Sequence, residues 1–279
     1  MTIRILVDST CDVPPDVAQR KGIAVVPVYI NVGDKSYLDG VDLTRQEFYE
    51  NLPGYATFPT TAAPAPGAFT AAYQALVEDG ATEIISLHIA TKLSNTLNAA
   101  RLGAEEVEGA RITMWDTQQL ALGSGLQAIV AAEAAEDGCS MQEILTLLEE
   151  KREKTRIFAM LDTLEFLRRS GRVSWTEFGL GTLLRIKPIV QVYAGEVTVI
   201  DKVRTTKRAI PRLVQLVESY GPIDRIALEY AGSLDTAERL RQEAKDLFPP
   251  DLETTFMELT PAIGAHAGPG VVGLGFIKK

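Results

Sequence analysis

Along the first half of the chain, short apolar, β-branched runs alternate with longer stretches in which apolar residues recur every three to four positions. Ile3 to Val7, Ile23 to Val28, Ile84 to Ile89 and Arg111 to Trp115 are bounded by turn residues and read as strands buried on both faces. Helical patterns run from Pro14 to Lys21, Thr44 to Leu52, Pro66 to Glu78, Ser94 to Val107 and Leu120 to Glu136. Thr44-Arg-Gln-Glu47 and Ser140-Met-Gln-Glu143 have the capping-box form, in which hydroxyl and carboxylate satisfy orphan amides reciprocally. The second box opens a charged helix reaching about Lys154. This alternation predicts an α/β domain over residues 1–155, with a mainly parallel sheet and flanking helices.

Beyond Lys154 the pattern changes. Ile186 to Tyr193 and Val197 to Val203 flank Ala194-Gly-Glu196 and read as an antiparallel hairpin. A helix near Arg208 to Tyr220, a strand Ile223 to Tyr230, a helix Leu234 to Leu247 and strands Thr254 to Met257 and Val271 to Ile277 follow. A second, mixed α/β domain over residues 156–279 is therefore expected. Phe58 to Gly67, rich in proline and small residues, suits a loop over a site better than a linker.

Composition narrows the function classes. The 279 residues, 46% of them apolar, suffice for a sizeable core and exclude intrinsic disorder. With 28 Lys plus Arg against 37 Asp plus Glu, the net charge of −9 disfavours nucleic acid as a partner. No apolar run is long enough to span a bilayer, and the start of the chain goes straight into a strand. Two distant cysteines, Cys11 and Cys139, match no zinc or disulfide spacing, so a reducing cytoplasm fits best. Two histidines and two scattered cysteines make a transition-metal site improbable, and no cofactor is expected. Gly-x-Gly-x-x-Gly, Walker and Gly-x-Ser-x-Gly motifs are absent, which removes the parts for hydride transfer, nucleotide hydrolysis and serine-hydrolase chemistry.

Three residues stand where strands give way to loops or helices, the usual ligand positions of open α/β sheets. Ser94 precedes a helix; it reads first as an N-cap, and alternatively as part of an anion site at the helix start. Thr61 lies in the Pro/Ala stretch, where turn hydrogen bonding is the plain reading. His266, in Gly264-Ala-His-Ala-Gly-Pro-Gly270, sits in a glycine-rich loop where backbone can approach a ligand, and here the site reading stands first. His88, among Ile and Leu, reads as a hydrogen-bonded core residue. Arg168, Arg169 and Arg172, with Lys202, Arg204, Lys207 and Arg208, form local basic clusters in an acidic protein.

Taken in order, Val7-Asp-Ser-Thr10, Pro27-Val-Tyr-Ile30, Thr61 with Pro64, Leu93-Ser-Asn-Thr96, Leu161 to Val173, Ile186-Lys-Pro-Ile189, Lys202-Val-Arg-Thr205 and His266-Ala-Gly-Pro-Gly270 resemble the DegV family across nearly the whole chain. The resemblance implies a two-domain α/β carrier that encloses one long-chain fatty acid between its domains. It assigns Thr61, Ser94 and His266 to the carboxylate, and Arg172 and Arg204 to the head-group vicinity or partner contact. It also implies a separate ATP-dependent fatty acid kinase subunit that forms the acyl phosphate, and is compatible with transient contact at a membrane surface. The chain departs from the family pattern at Ala62, Ala63, Ala65 and Ala121, which thins the expected head-group network. The competing expectation is a stand-alone phosphotransferase or hydrolase that uses His266 as acid or base.

Overall fold

The computed structural model describes residues 2–173, 186–248 and 255–279. The first part of the chain forms β1 (Ile3–Asp8), α1 (Pro15–Arg20), β2 (Ile23–Val26), β3 (Tyr29–Val32), β4 (Lys35–Leu38), α2 (Arg45–Asn51), β5 (Thr60–Ala62), α3 (Pro66–Glu78) and β6 (Glu83–His88). It continues through α4 (Thr96–Ala104), β7 (Arg111–Asp116), α5 (Ala121–Glu136) and α6 (Met141–Lys154). The second part forms β8 (Thr155–Met160), α7 (Glu165–Ser170), β9 (Lys187–Tyr193), β10 (Glu196–Val203), α8 (Thr206–Glu218) and β11 (Ile223–Tyr230), then α9 (Leu234–Glu243), β12 (Thr255–Glu258), α10 (Pro261–Ala267) and β13 (Val272–Lys278).

Two larger sheets carry the α/β fold. The order β2-β1-β6-β7 is parallel throughout. All six residues of β6 are buried, as befits a central parallel strand, including the polar Glu83, Ser86 and His88. The order β10-β9-β8-β13-β11-β12 is mixed: β11 and β12 run parallel, and the other neighbours are antiparallel. The β9–β10 hairpin closes through Ala194 and Gly195 at φ values of 50° and 75°, the left-handed pair a two-residue turn needs. Both capping boxes form, on α2 and α6.

Helix α5 lies between the two larger sheets and is buried almost all round. Ala128, Ala131 and Ala132 join the cluster containing Ile5, Val7 and Leu87, whereas Leu122, Leu126 and Val130 pack with Ala227 and Ile277. Glycines let it sit close: a Cβ at Gly125 would lie 2.5 Å from the Cys11 carbonyl oxygen, and one at Gly123 would lie 2.8 Å from Ile157. Among the described residues no helix is long and apolar enough to cross a membrane.

Several local expectations are corrected. A third, three-stranded antiparallel sheet, β4-β3-β5, was not expected, and Thr61 belongs to its strand β5 rather than to a loop. Strand β8 and helix α7 are also additional. Ser94 is not the cap itself, because Asn95 occupies that position and α4 starts at Thr96. His266 lies in the last turn of α10, not in a loop. The predicted strand Thr254 to Met257 is described as β12 from Thr255, and Thr254 lies outside the described residues.

Gly264 explains why the glycines around His266 mislead. A Cβ there would lie 2.3 Å from the Tyr49 hydroxyl oxygen and 2.8 Å from the ring, so this glycine serves the contact between α10 and α2. Tyr49 is buried, with the Phe48 ring packed edge-on at 5.1 Å. Gly264→Ala is expected to cost about 1–3 kcal/mol by overpacking, read as a lower midpoint in urea unfolding at unchanged slope. An unchanged midpoint would show that the contact is loose.

Candidate functional site

A cavity of about 450 Å³ opens between the mixed sheet and the elements facing it. Alternate strand residues form its floor, as the period of two dictates: Ile157 and Ala159 on β8, Val190 and Val192 on β9, Val197 on β10 and Gly273 on β13. Val28, Ile89, Leu120 and Ala121 face them, with Ala262 and Ile263 of α10. Small side chains at Ala121, Ala159 and Ala262 leave room that larger residues would fill. The floor residues are buried, whereas Lys92, Asn95 and Arg172 on the same lining are exposed, which puts the mouth at that end.

Four of the five residues expected at the site line this one cavity: Thr61, Ser94, His266 and Arg172. Thr61 Oγ1 lies 2.7 Å from His266 Nε2, so β5 and α10 meet in a hydrogen bond across 205 residues of sequence. The Ser94 hydroxyl accepts from the Thr96 amide at 3.3 Å and lies 2.8 Å from Thr96 Oγ1. Ser94 is thus committed to the start of α4 while one side of it faces the cavity. Arg172 donates to the Ser170 carbonyl at 2.7 Å. Arg204 is exposed just beyond β10 and does not line the cavity.

Burial, with the nearby Arg172 charge adding to it, lowers the His266 pKa to about 4. The imidazole is therefore neutral near pH 7, and each of its nitrogens can then be either donor or acceptor. A neutral ring, two hydroxyls and one guanidinium can together satisfy an anionic oxygen pair at the end of an apolar slot. The same low pKa makes His266 a weak base at neutral pH, and among the described residues its hydrogen-bond partner is a hydroxyl rather than a carboxylate.

A serine–histidine–aspartate arrangement exists elsewhere, sealed in the core. His88 Nε2 lies 2.7 Å from Ser86 Oγ and His88 Nδ1 lies 2.9 Å from Asp8 Oδ2, with Tyr73 on the far side of Ser86 at 2.7 Å. All four side chains are fully buried, so no substrate reaches them. The network satisfies polar groups beneath the parallel sheet, as the sequence suggested for His88.

Lys92 and Glu229, which no sequence motif singles out, also line the site, as do Asn95 of Leu93-Ser-Asn-Thr96 and Thr10, whose Asp8-Ser9-Thr10 turn reads in sequence either as hydrogen bonding into the same crevice or as plain turn and cap chemistry. Glu229 was detectable as the one charged residue in Ile226-Ala-Leu-Glu-Tyr230, a stretch otherwise fit for a buried strand.

Because His266 titrates near 4 folded and near 6.5 unfolded, the unfolded chain holds more protons between these pH values. Stability from the neutral ring is complete above 6.5 and lost as pH falls through about 4. Buried Asp39, raised to about 6, acts in the opposite sense, so the informative quantity is the difference between wild type and His266→Asn. Unfolding free energies should show wild type losing on the order of 3 kcal/mol relative to that variant as pH drops through the window. A difference independent of pH would mean that His266 titrates alike in both states.

Comparison with known proteins agrees with this architecture. The model of the DegV family, described as uncharacterised proteins, matches residues 2–279. A DegV domain-containing protein of Deinococcus radiodurans is 35% identical over 278 residues, covering 98% of each chain. Among solved structures, a fatty-acid-binding DegV family protein from Thermus thermophilus superposes with a TM-score of 0.92 at 35% identity, covering 100% of both chains. DegV from Bacillus subtilis, described as a fatty acid binding protein, gives 0.90 at 28% identity over 100% of both chains. The family model spans nearly the whole chain and the overall fold superposes closely at 35% identity, so the chain belongs to the DegV family.

Proposed function

We propose that this protein binds one long-chain fatty acid, enclosed between an N-terminal domain (1–155) and a C-terminal domain (156–279). The acyl tail lies over Ile157, Ala159, Val190 and Val192, and the carboxylate rests at Thr61, Ser94 and His266 with the positive charge of Arg172 beside it. The observation that carries this reading is an apolar cavity of about 450 Å³ whose lining includes the Thr61–His266 pair at 2.7 Å. The relatives from Thermus thermophilus and Bacillus subtilis, both described as binding fatty acids, support it.

The energetics divide between tail and head. Each methylene removed from water contributes roughly 0.8 kcal/mol, so a tail of about fourteen offers on the order of 11 kcal/mol before the entropy of immobilisation is subtracted. The hydroxyls and imidazole fix orientation and keep the carboxylate from being buried unpaired. With no catalytic assignment for His266, we read the protein as a cytoplasmic carrier that presents the carboxylate to a separate ATP-dependent kinase subunit. Exposed Arg172 and Arg204 are available for that contact or for a brief encounter with an anionic membrane surface.

Protein purified without added lipid, extracted with organic solvent and analysed by mass spectrometry, is expected to release close to one acyl chain per protein molecule. His266→Ala should weaken a free acid about tenfold while leaving its methyl ester nearly unaffected. Lipid-free protein that also ignores added fatty acid would overturn the proposal. Equal losses for acid and ester would remove His266 from the head-group site.

A further inference from the structure

We propose that Glu229 and Thr10 form a second polar subsite inside the cavity, one that selects acyl chains carrying a hydroxyl group along the tail. The inference rests on the fatty-acid reading above and adds to it the chemistry of the chain.

Glu229 is 4% exposed, on β11 beside Gly273 of β13, and it belongs to the lining of a cavity whose floor is otherwise apolar. Thr10, 7% exposed, joins the lining from the facing side. Both are buried, whereas the mouth residues Lys92, Asn95 and Arg172 are exposed, so this pair lies along the tail rather than at the head group. A chain made only of methylenes would lie against a carboxyl group and offer it nothing.

Both Glu229 oxygens lie 3.2 Å from the single Leu122 amide at the start of α5, so one N–H is shared between them. On its other side stands Asp12, itself held by the Arg45 guanidinium at 2.7 Å and the Thr260 amide at 2.9 Å. Burial first, and Asp12 second, push the Glu229 pKa well above the usual carboxylate range, and a hydrogen bond joins the two acids. One N–H shared by two oxygens leaves Glu229 with acceptor lone pairs unmatched, whichever of the two acids holds a proton between them. The Thr10 hydroxyl donates to Asp8 Oδ1, which leaves its own oxygen as an acceptor. Two acceptors facing an apolar slot fit a ligand group that donates, and on an acyl chain that group is a hydroxyl.

The test uses the full chain, freed of endogenous lipid, with calorimetric dissociation constants for stearic acid and for monohydroxystearic acids substituted at successive carbons. At one position, or two adjacent ones, the hydroxyl is expected to strengthen binding about tenfold over stearic acid. In Glu229→Leu the ratio of hydroxystearic to stearic acid affinity should fall to about one whatever the absolute affinities, whereas Glu229→Gln, which keeps an acceptor oxygen, should retain the preference. Should the leucine variant fail to fold, the wild-type position scan decides alone. Stearic acid binding with no favoured hydroxyl position would overturn this inference and leave the fatty-acid reading standing. Failure of every acid to bind would overturn both.

Discussion

A helix with almost no solvent face sets the geometry of this molecule. α5 fills the space between the parallel sheet and the mixed sheet, and 13 of its residues are buried. Ala128, Ala131 and Ala132 face one sheet and Leu122, Leu126 and Val130 face the other, so a single helix packs on both. Close packing at Gly123 and Gly125 fixes its height against Ile157 and the Cys11 carbonyl. The start of α5 therefore has little freedom, and Leu120 and Ala121 are held at the cavity wall. Ala121 adopts a φ of 46°, a left-handed conformation uncommon for a residue with a side chain, at the point where the chain turns into the helix. The cavity is what remains beyond that fixed end, between the mixed sheet and α10.

Electrostatics in and around the cavity follow one rule: groups facing the slot are uncharged, and charges stand at its rim or in pairs behind it. Burial near a cation lowers the pKa of His266 to about 4, and burial near an anion pushes that of Glu229 up, so both are biased toward their uncharged forms. Arg172 keeps its charge at the exposed rim, and Arg45 answers Asp12 behind the wall. A slot so arranged accepts an apolar body without stranding a charge against it. Lys92 and Glu196 pair at 2.7 Å between the loop after β6 and the β9–β10 hairpin, but both are exposed, so the pair adds little to holding the two sides together.

Strong local signals made much of the fold readable in advance. Proline at the first turn and sustained periodicity gave α3 its full extent, Pro66–Glu78, and short, largely apolar, β-branched runs gave β1 and β6. Strands of three or four residues with mixed exposure, such as β4 and β5, carry no alternation to detect, so the small sheet holding Thr61 escaped. β8 follows α6 with no turn residue between them, and a pattern punctuated by turns passes over such a junction. Glycines near His266 suggested a loop, because a glycine required by a tyrosine ring looks in sequence like one required by a turn. The separate motifs bearing Thr61, Ser94 and His266 were visible; their meeting point depends on α10 packing against β5 and is a property of tertiary structure.

What most needs testing is whether the cavity between the mixed sheet and α10 is occupied by an acyl chain oriented by its head. A crystal structure of protein purified without added lipid tests occupant, place and direction together. The account predicts elongated density that begins within hydrogen-bond reach of Thr61, Ser94 and His266 and runs over Ile157, Ala159 and Val190. An empty or collapsed slot, or density whose polar end points away from His266, would contradict it.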